Sequence, residues 1–400
     1  MKKLNFGYLI IISFLATLIF SLTICGNPQE KPEPDISFYK PVTDISSYPL
    51  LKEKGVRNII LLIGDGMGFA QVDAARIRAT GAAGRLNMER MPVTGFVKTH
   101  SANRLITDSA AGGTALSTGF KTNNGVIAMS PGGKNFMTIL EAAQKRGMGT
   151  GLVVTSTITD ATPSVFASHI VSRKSQPEIA LQLVKSGVNV LLGGGKEFFI
   201  PKSIKESKRG DEQSLLDEAR AKGYLIIDTR QQLTDAKGDH ILGLFQMDSL
   251  KTTGDEPSLA EMAQKAIALL KPNKNGFFMM VEGSQIDWGC HANNPDYAIR
   301  QVLLFDEAVK VALEFAAENK DTLVVVTADH ETGGLTIIGG NLDGSGLEIA
   351  WAKKDHTAVQ VPVYAFGPQA ILFMGVQDNT DVARKLSIAL GIGNFPLKQE

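Results

Sequence analysis

Asn58-Ile59-Ile60-Leu61-Leu62-Ile63-Gly64-Asp65-Gly66 decides the fold. Five aliphatic residues in unbroken succession leave no polar face. Such a run fits a strand covered on both sides, as in a mostly parallel sheet. Gly64 and Gly66 punctuate its end, so Asp65 projects from the strand's C-terminal end, where open α/β sheets place their ligands. Working outward, apolar runs at 150–155, 188–192, 277–281, 322–327 and 361–366 predict further strands. Helices alternate with them. Residues 136–146 form one, ended by Gly147. Ser258-Leu259-Ala260-Glu261 is a capping box opening another, to about residue 270. Asn294-Pro295 pairs an N-cap with a first-turn proline and opens a long amphipathic helix to about residue 318. A last helix over 380–390 is closed by Gly391. The alternation predicts an α/β fold in which a mostly parallel central sheet carries helices on both faces, as one domain over residues 51–400.

Residues 195–255 are less regular and more charged, and read as an insertion over the sheet edge that roofs the site. The segment between His330 and His356 is short and glycine-rich, which leaves little room for an accessory subdomain.

Of 400 residues, 44% are apolar and 20% charged, and 41 basic side chains balance 41 acidic ones. The balance, without any basic run, argues against nucleic acid as a partner. Met1-Lys2-Lys3 and the apolar run from Phe6 to Cys25 form an export signal. Its length also suits an uncleaved membrane anchor. Leu22-Thr23-Ile24-Cys25 resembles a lipoprotein cleavage site with Cys25 as the lipidated residue, although Ile24 stands where a small residue is usual. Lipidated, released or anchored, the folded domain is expected outside the cytoplasm, in the periplasm or cell envelope or secreted. Pro28, Pro32, Pro34, Pro41 and Pro49 mark residues 26–50 as a tether. Cys25 and Cys290 make no disulfide framework, and Cys290 reads as a buried small residue.

The chemistry centres on Thr107-Asp108-Ser109-Ala110-Ala111-Gly112-Gly113-Thr114-Ala115. A loop turns into a helix at Ser109, beside free backbone N–H groups and the positive end of the helix dipole. That suits a nucleophile that holds a phosphoryl or acyl group; an ordinary capped helix packed on a sheet would read the same way. Gly112 and Gly113 are poor in a helix interior and signal close approach of another backbone. Asp65, Glu282, Asp287, His291, Asp329, His330 and His356 lie at strand ends and in loops, and are the residue types that hold zinc and magnesium. Asp287 and His291, four apart, face one side of a helical turn. Glu282 ends an apolar strand, where a buried carboxylate needs a partner and a cation is one.

These motifs, together with Asp160-Ala161-Thr162-Pro163, Ser172-Arg173-Lys174, Asn293-Asn294 and Thr327-Ala328-Asp329-His330-Glu331-Thr332-Gly333-Gly334, resemble the alkaline phosphatase family, in family order from about residue 58 to 368. The resemblance implies a three-layer alkaline-phosphatase-like sandwich and hydrolysis of small phosphate monoesters through a phosphoserine on Ser109. It implies two zinc ions and one magnesium ion. Asp287, His291 and His356 would hold the first zinc; Asp329, His330 and Asp65, with Ser109, the second; Asp65, Thr162 and Glu282 the magnesium. Arg173 would bind phosphate, with Asp108 and Asp160 as supporting groups. Trp288 departs from the lysine or histidine of some relatives, which puts phosphate and magnesium retention in doubt. Relatives are commonly homodimers. His100, His169 and His240 match no ligand position and are expected to be structural. A phosphodiesterase or sulfatase of the same superfamily is the alternative. A catalytically dead binding lipoprotein is a third reading, disfavoured because no ligand position is broken.

Overall fold

The computed structural model describes residues 35–44, 46–51 and 55–397. The N-terminal apolar run, with the export, lipidation and anchor readings that rest on it, and the tether up to Pro34 lie outside these residues.

Fourteen strands are present among the described residues: β1 (Asn58–Gly64), β2 (Val93–Lys98), β3 (Gly149–Thr157), β4 (Val190–Gly194), β5 (Leu225–Ile227), β6 (Ile241–Leu244), β7 (Phe277–Gly283), β8 (Thr322–Thr327), β9 (Glu331–Thr332), β10 (Leu335–Gly339), β11 (Glu348–Trp351), β12 (His356–Thr357), β13 (Val361–Phe366) and β14 (Gly375–Asp378). Ten of them form one sheet in the order β14-β2-β13-β8-β1-β7-β3-β4-β6-β5. Only β13 runs against its neighbours. β1 lies at the centre, paired in parallel with β7 and β8. All seven of its residues are buried, because helices cover both sheet faces. Fully burying each of its aliphatic side chains contributes about 1.5–3 kcal/mol.

The helices are α1 (Phe69–Thr80), α2 (Ser109–Thr118), α3 (Ile139–Lys145), α4 (Ala161–Ala167), α5 (Gln176–Lys185), α6 (Leu215–Ala221), α7 (Arg230–Asp235), α8 (Leu259–Leu270), α9 (Gln285–His291), α10 (Pro295–Asn319) and α11 (Asn379–Ala389). They pack in two sets, α1 with α8, α9 and α10, and α2 with α3, α4 and α11. The predicted caps appear at Ser258, where the box with Glu261 is complete, and at Asn294, whose side chain accepts from Tyr297 N. The predicted start at 136 moves to Ile139, because Thr138 and Glu141 form a capping box that sequence reading passed over.

Two expectations change. Residues 195–255 do not lie over the sheet edge: they build it, supplying β5 and β6 beyond β4. Their strands are short, which hid the pattern. Nor does the tether continue through residue 50. From Asp35 onward the chain is docked, with Tyr39 buried and its hydroxyl donating to Asp306 Oδ2 at 2.8 Å. Arg300 lies over the Phe38 ring, and Tyr48 packs on Phe366. Aromatic rings between the prolines supply the apolar area that a free tether lacks.

Candidate active site

The topology collects the site. β1, β7 and β8 are adjacent and parallel, so Asp65, Glu282, Asp329 and His330 leave the same end of the sheet. α9 follows β7 directly and carries Asp287, Trp288 and His291. α2 brings Ser109 in from the side. Its N-cap Asp108 accepts from Ala111 N at 3.0 Å and, through its other oxygen, from Gly125 N at 2.9 Å. Gly112 is required for this approach: a Cβ there would stand 2.8 Å from the Asp329 carbonyl oxygen. Gly66, at φ 73°, closes the opposite side, where a Cβ would stand 2.8 Å from Asp287 Cα.

Two clusters result. In the inner one, His330 Nε2 lies 3.2 Å from Ser109 Oγ, 3.3 Å from Asp329 Oδ2 and 3.4 Å from Asp65 Oδ1. In the outer one, His291 Nε2 lies 3.3 Å from Asp287 Oδ2 and 3.2 Å from His356 Nε2, and His356 Nε2 lies 3.6 Å from Asp287 Oδ1. Ligand atoms placed tetrahedrally at ~2.0–2.1 Å from a zinc ion are separated by about 3.3–3.4 Å, so both clusters have the dimensions of such a site. The His330 and His356 rings stack at 3.6 Å, which sets the clusters side by side.

Histidine orientation agrees. His356 Nδ1 donates to Thr107 O at 2.9 Å and His291 Nδ1 to Lys354 O at 2.7 Å. A carbonyl only accepts, so each ring holds a proton on Nδ1 and turns its Nε2 to the cluster, where a cation can take the place of a second proton. Asp65 Oδ1 and Asp329 Oδ2, both buried, have no hydrogen-bond partner. Burial of such atoms is costly unless a cation faces them, so the residues present fit a bound metal.

Electrostatics point the same way. Burial, and then the charge of Asp329, push Asp65 well above the carboxylate range. Burial and the Asp287 charge raise Asp329 to about 7. Burial and the Asp160 charge raise Glu282 to about 8. Burial drives His330 well below its ordinary value. Asp287 goes the other way: burial would raise it, but the His291 hydrogen bond, with the other histidines around it, takes it to about 2. The same hydrogen bond raises His291 to about 9.

The expected magnesium set is more open. Among the described residues, Glu282 joins none of the three groups of histidine and carboxylate side chains close enough to share an ion. Its carboxylate is met by hydroxyls, from Ser284, Thr162 and Ser156. Arg173 is held between two carboxylates, Nη2 donating to Asp160 Oδ1 at 3.0 Å and Nη1 facing Asp108 Oδ2 at 3.6 Å. Trp288 is half-exposed beside Asp287. Cys290 is buried against Gln71. The other histidines lie in other contacts: His169 with Glu141, His100 with Asp378, and His240 edge-on to Tyr224.

Sequence reasoning missed several contributors. Thr332 donates to Asp287, and Glu331 accepts from Gln71 and from Thr357, which ties β9, next after His330, to β12, which carries His356. Both sit inside the quoted Thr327–Gly334 motif, where two polar residues directly after Asp329-His330 were a visible signal. Asp355 groups with His291 and His356 on the solvent side; nothing in the sequence marked it.

A family model described as alkaline phosphatase matches residues 56–347 and 345–392. Alkaline phosphatase 4 of Bacillus subtilis (strain 168) is 35% identical over 411 residues, spanning 82% of this chain and 87% of that one. The alkaline phosphatase of the Antarctic bacterium TAB5 superposes with a TM-score of 0.79 at 32% identity, covering 85% of this chain and 100% of that one. A variant of the TAB5 enzyme, with Mg bound in a site called M3, superposes with a TM-score of 0.76 at 31% identity, covering 86% and 100%. Matched from β1 to the end of α11, the chain belongs to the alkaline phosphatase family.

Proposed function

We propose that this metal-dependent hydrolase of phosphate monoesters works through a phosphoserine on Ser109, with two zinc ions and one magnesium ion per chain. The observation that carries the reading is the placement of Ser109 Oγ 3.2 Å from His330 Nε2, beside two buried carboxylate oxygens without partners. Zinc at the two clusters would supply positive charge at the leaving oxygen and favour the ionised form of the serine hydroxyl. Ser109 Oγ bonds to phosphorus as the ester P–O bond breaks and the alcohol departs. Water then attacks the phosphoserine, the Oγ–P bond breaks, and inorganic phosphate leaves with the serine hydroxyl restored. Two inversions give net retention at phosphorus. The α2 N-terminus and the Arg173 fork hold the phosphoryl oxygens.

Thr162, Glu282 and Asp65 form an oxygen-only set that suits magnesium, with Asp160 in support; the Mg reported in the TAB5 variant's M3 site supports a third cation. Arg173 and this third set favour the doubly charged monoester over a diester or sulfate ester. Export to the cell envelope rests on the N-terminal segment, with Cys25 as lipid anchor or the segment itself as membrane anchor, and release as the other outcome. A homodimer is the oligomer we infer.

Ser109→Ala should abolish covalent labelling from a 32P-phosphomonoester and nearly all phosphate release. Persistence of the label in that variant would falsify the assignment. Fractionation of cells carrying Cys25→Ser, and light scattering of the purified protein, test the anchor and the dimer.

A further inference from the structure

Thr332 stands between the two clusters and belongs to neither. It is completely buried. Its hydroxyl donates to Asp287 Oδ1 of the outer cluster at 2.5 Å and lies 3.3 Å from Nδ1 of His330, whose Nε2 heads the inner cluster. Its backbone is held independently of these contacts. The Thr332 N–H donates to Gly66 O at 3.2 Å, and the β9–β12 pair places Thr332 opposite His356.

A hydroxyl carries one proton and can give it to one neighbour at a time. The Asp287 carboxylate only accepts. His330 Nδ1 accepts or donates, depending on which ring nitrogen holds the proton. With the proton on Nε2, Nδ1 is an acceptor and competes with Asp287 for the threonine hydrogen. With Nε2 given to a metal ion, the ring proton sits on Nδ1. Nδ1–H then donates to Thr332 Oγ1, and the threonine hydrogen is committed to Asp287. The hydrogen bonds run in one direction, from His330 through Thr332 to Asp287.

We propose that Thr332 is a positioning residue that couples the two metal positions: a cation beside Ser109 fixes the His330 tautomer, and the threonine hydroxyl passes that choice to Asp287. The inference rests on reading both clusters as metal sites. Coupling between two binding events is reciprocal, so a metal in the outer cluster also favours binding in the inner one. Partners that orient metal ligands in this way are typically worth about 10–100-fold in affinity.

The test compares the unmodified protein with Thr332→Val, which keeps the shape and deletes the hydroxyl, and Thr332→Ser, which restores it. Zinc is titrated into the metal-free full-length protein under chelator buffering. The histidine ring nitrogens are followed by 15N resonance. The unmodified protein should take two zinc ions interdependently, with the His330 ring reporting the proton on Nδ1. Thr332→Val should hold the outer zinc about 10-fold or more weakly and lose the interdependence, and Thr332→Ser should recover both. Should the valine variant not fold, Thr332→Ala lacks the same hydroxyl and carries the same expectation. Equal affinities and unchanged interdependence without the hydroxyl overturn the proposal. Zinc bound at neither cluster of the unmodified protein overturns the metal reading and this inference with it.

Discussion

The inner and outer clusters use the same residue types and solve opposite problems. The outer one neutralises itself: Asp287 stays ionised, with its pKa at about 2, because His291, raised to about 9, is its ion-pair partner. Its histidines are tied to carbonyl oxygens, and His291 is 36% exposed at its side chain. The inner one has no such balance. Asp65 and Asp329 are buried with unpartnered oxygens, and His330, fully buried, is driven toward the neutral form. Burying charge without a partner is expensive, so the inner cluster depends on a cation where the outer one tolerates its loss. On the proposed function, Ser109 as nucleophile belongs to the dependent cluster, and the solvent-facing cluster would serve the departing alcohol and the entering water.

Single substitutions should separate the two. Asp329→Asn is expected to lower kcat/KM by roughly 10²–10³-fold or more, as loss of a preorganised charge at a reacting group does. His291→Asn, on the exposed side, should cost less and should be partly recovered by excess zinc. Steady-state kinetics against added zinc checks this; equal losses, both unresponsive to metal, would erase the distinction.

Removing metal sharpens it. In the metal-free protein, Asp329 and Glu282 titrate at about 7 and about 8. Between the ordinary carboxylate range and those values, the folded chain binds protons that the unfolded chain does not, so stability is lost as pH rises through that window. His291 acts in the same direction: its contribution is complete below its ordinary 6.5 and lost as pH climbs toward about 9. Asp287 acts only at the acid end, losing its contribution as pH falls from 3.8 toward about 2. His330 opposes them below its ordinary 6.5, where the unfolded chain holds a proton that the buried ring does not, so the melting temperature of chelated protein should fall from about pH 7 to about pH 9. Zinc-loaded protein should show a flatter profile, so the gap between the two widens. Calorimetry across that range decides, and a constant gap would count against cations replacing buried protons.

Two smaller effects probe the walls. Gly112→Ala forces a methyl against the Asp329 carbonyl and should cost about 1–3 kcal/mol by overpacking, with a loss of activity, measured by denaturant unfolding and rate together. Trp288→Lys sits at a half-exposed position and should change stability by only about 0.5 kcal/mol or less, while strengthening inhibition by product phosphate. Unchanged inhibition would remove Trp288 from any role beside the outer cluster.

The amino-acid sequence alone pointed to the α/β architecture, because short apolar runs such as 59–63, bounded by glycine and alternating with capped amphipathic helices, fit strands covered on both faces. It also marked the candidate ligands: Asp65, Asp287, His291, Asp329, His330 and His356 are residue types that hold zinc and magnesium, and their assignment to sites beside Ser109 is what the family resemblance implies. Local signals carried the caps at Ser258 and Asn294. Tertiary structure alone decided the rest. β5 and β6 are too short to show a pattern, and they became strands because β4 offered an edge to pair with. Phe38, Tyr39 and Tyr48 looked like parts of a tether until α10 and β13 gave them surfaces to bury against. The difference between the inner and outer clusters is absent from the string of letters. It arises from burial, and from which carbonyl oxygen, hydroxyl or carboxylate the folded chain brings to each ligand, as Thr107 O is brought to His356 across 249 positions.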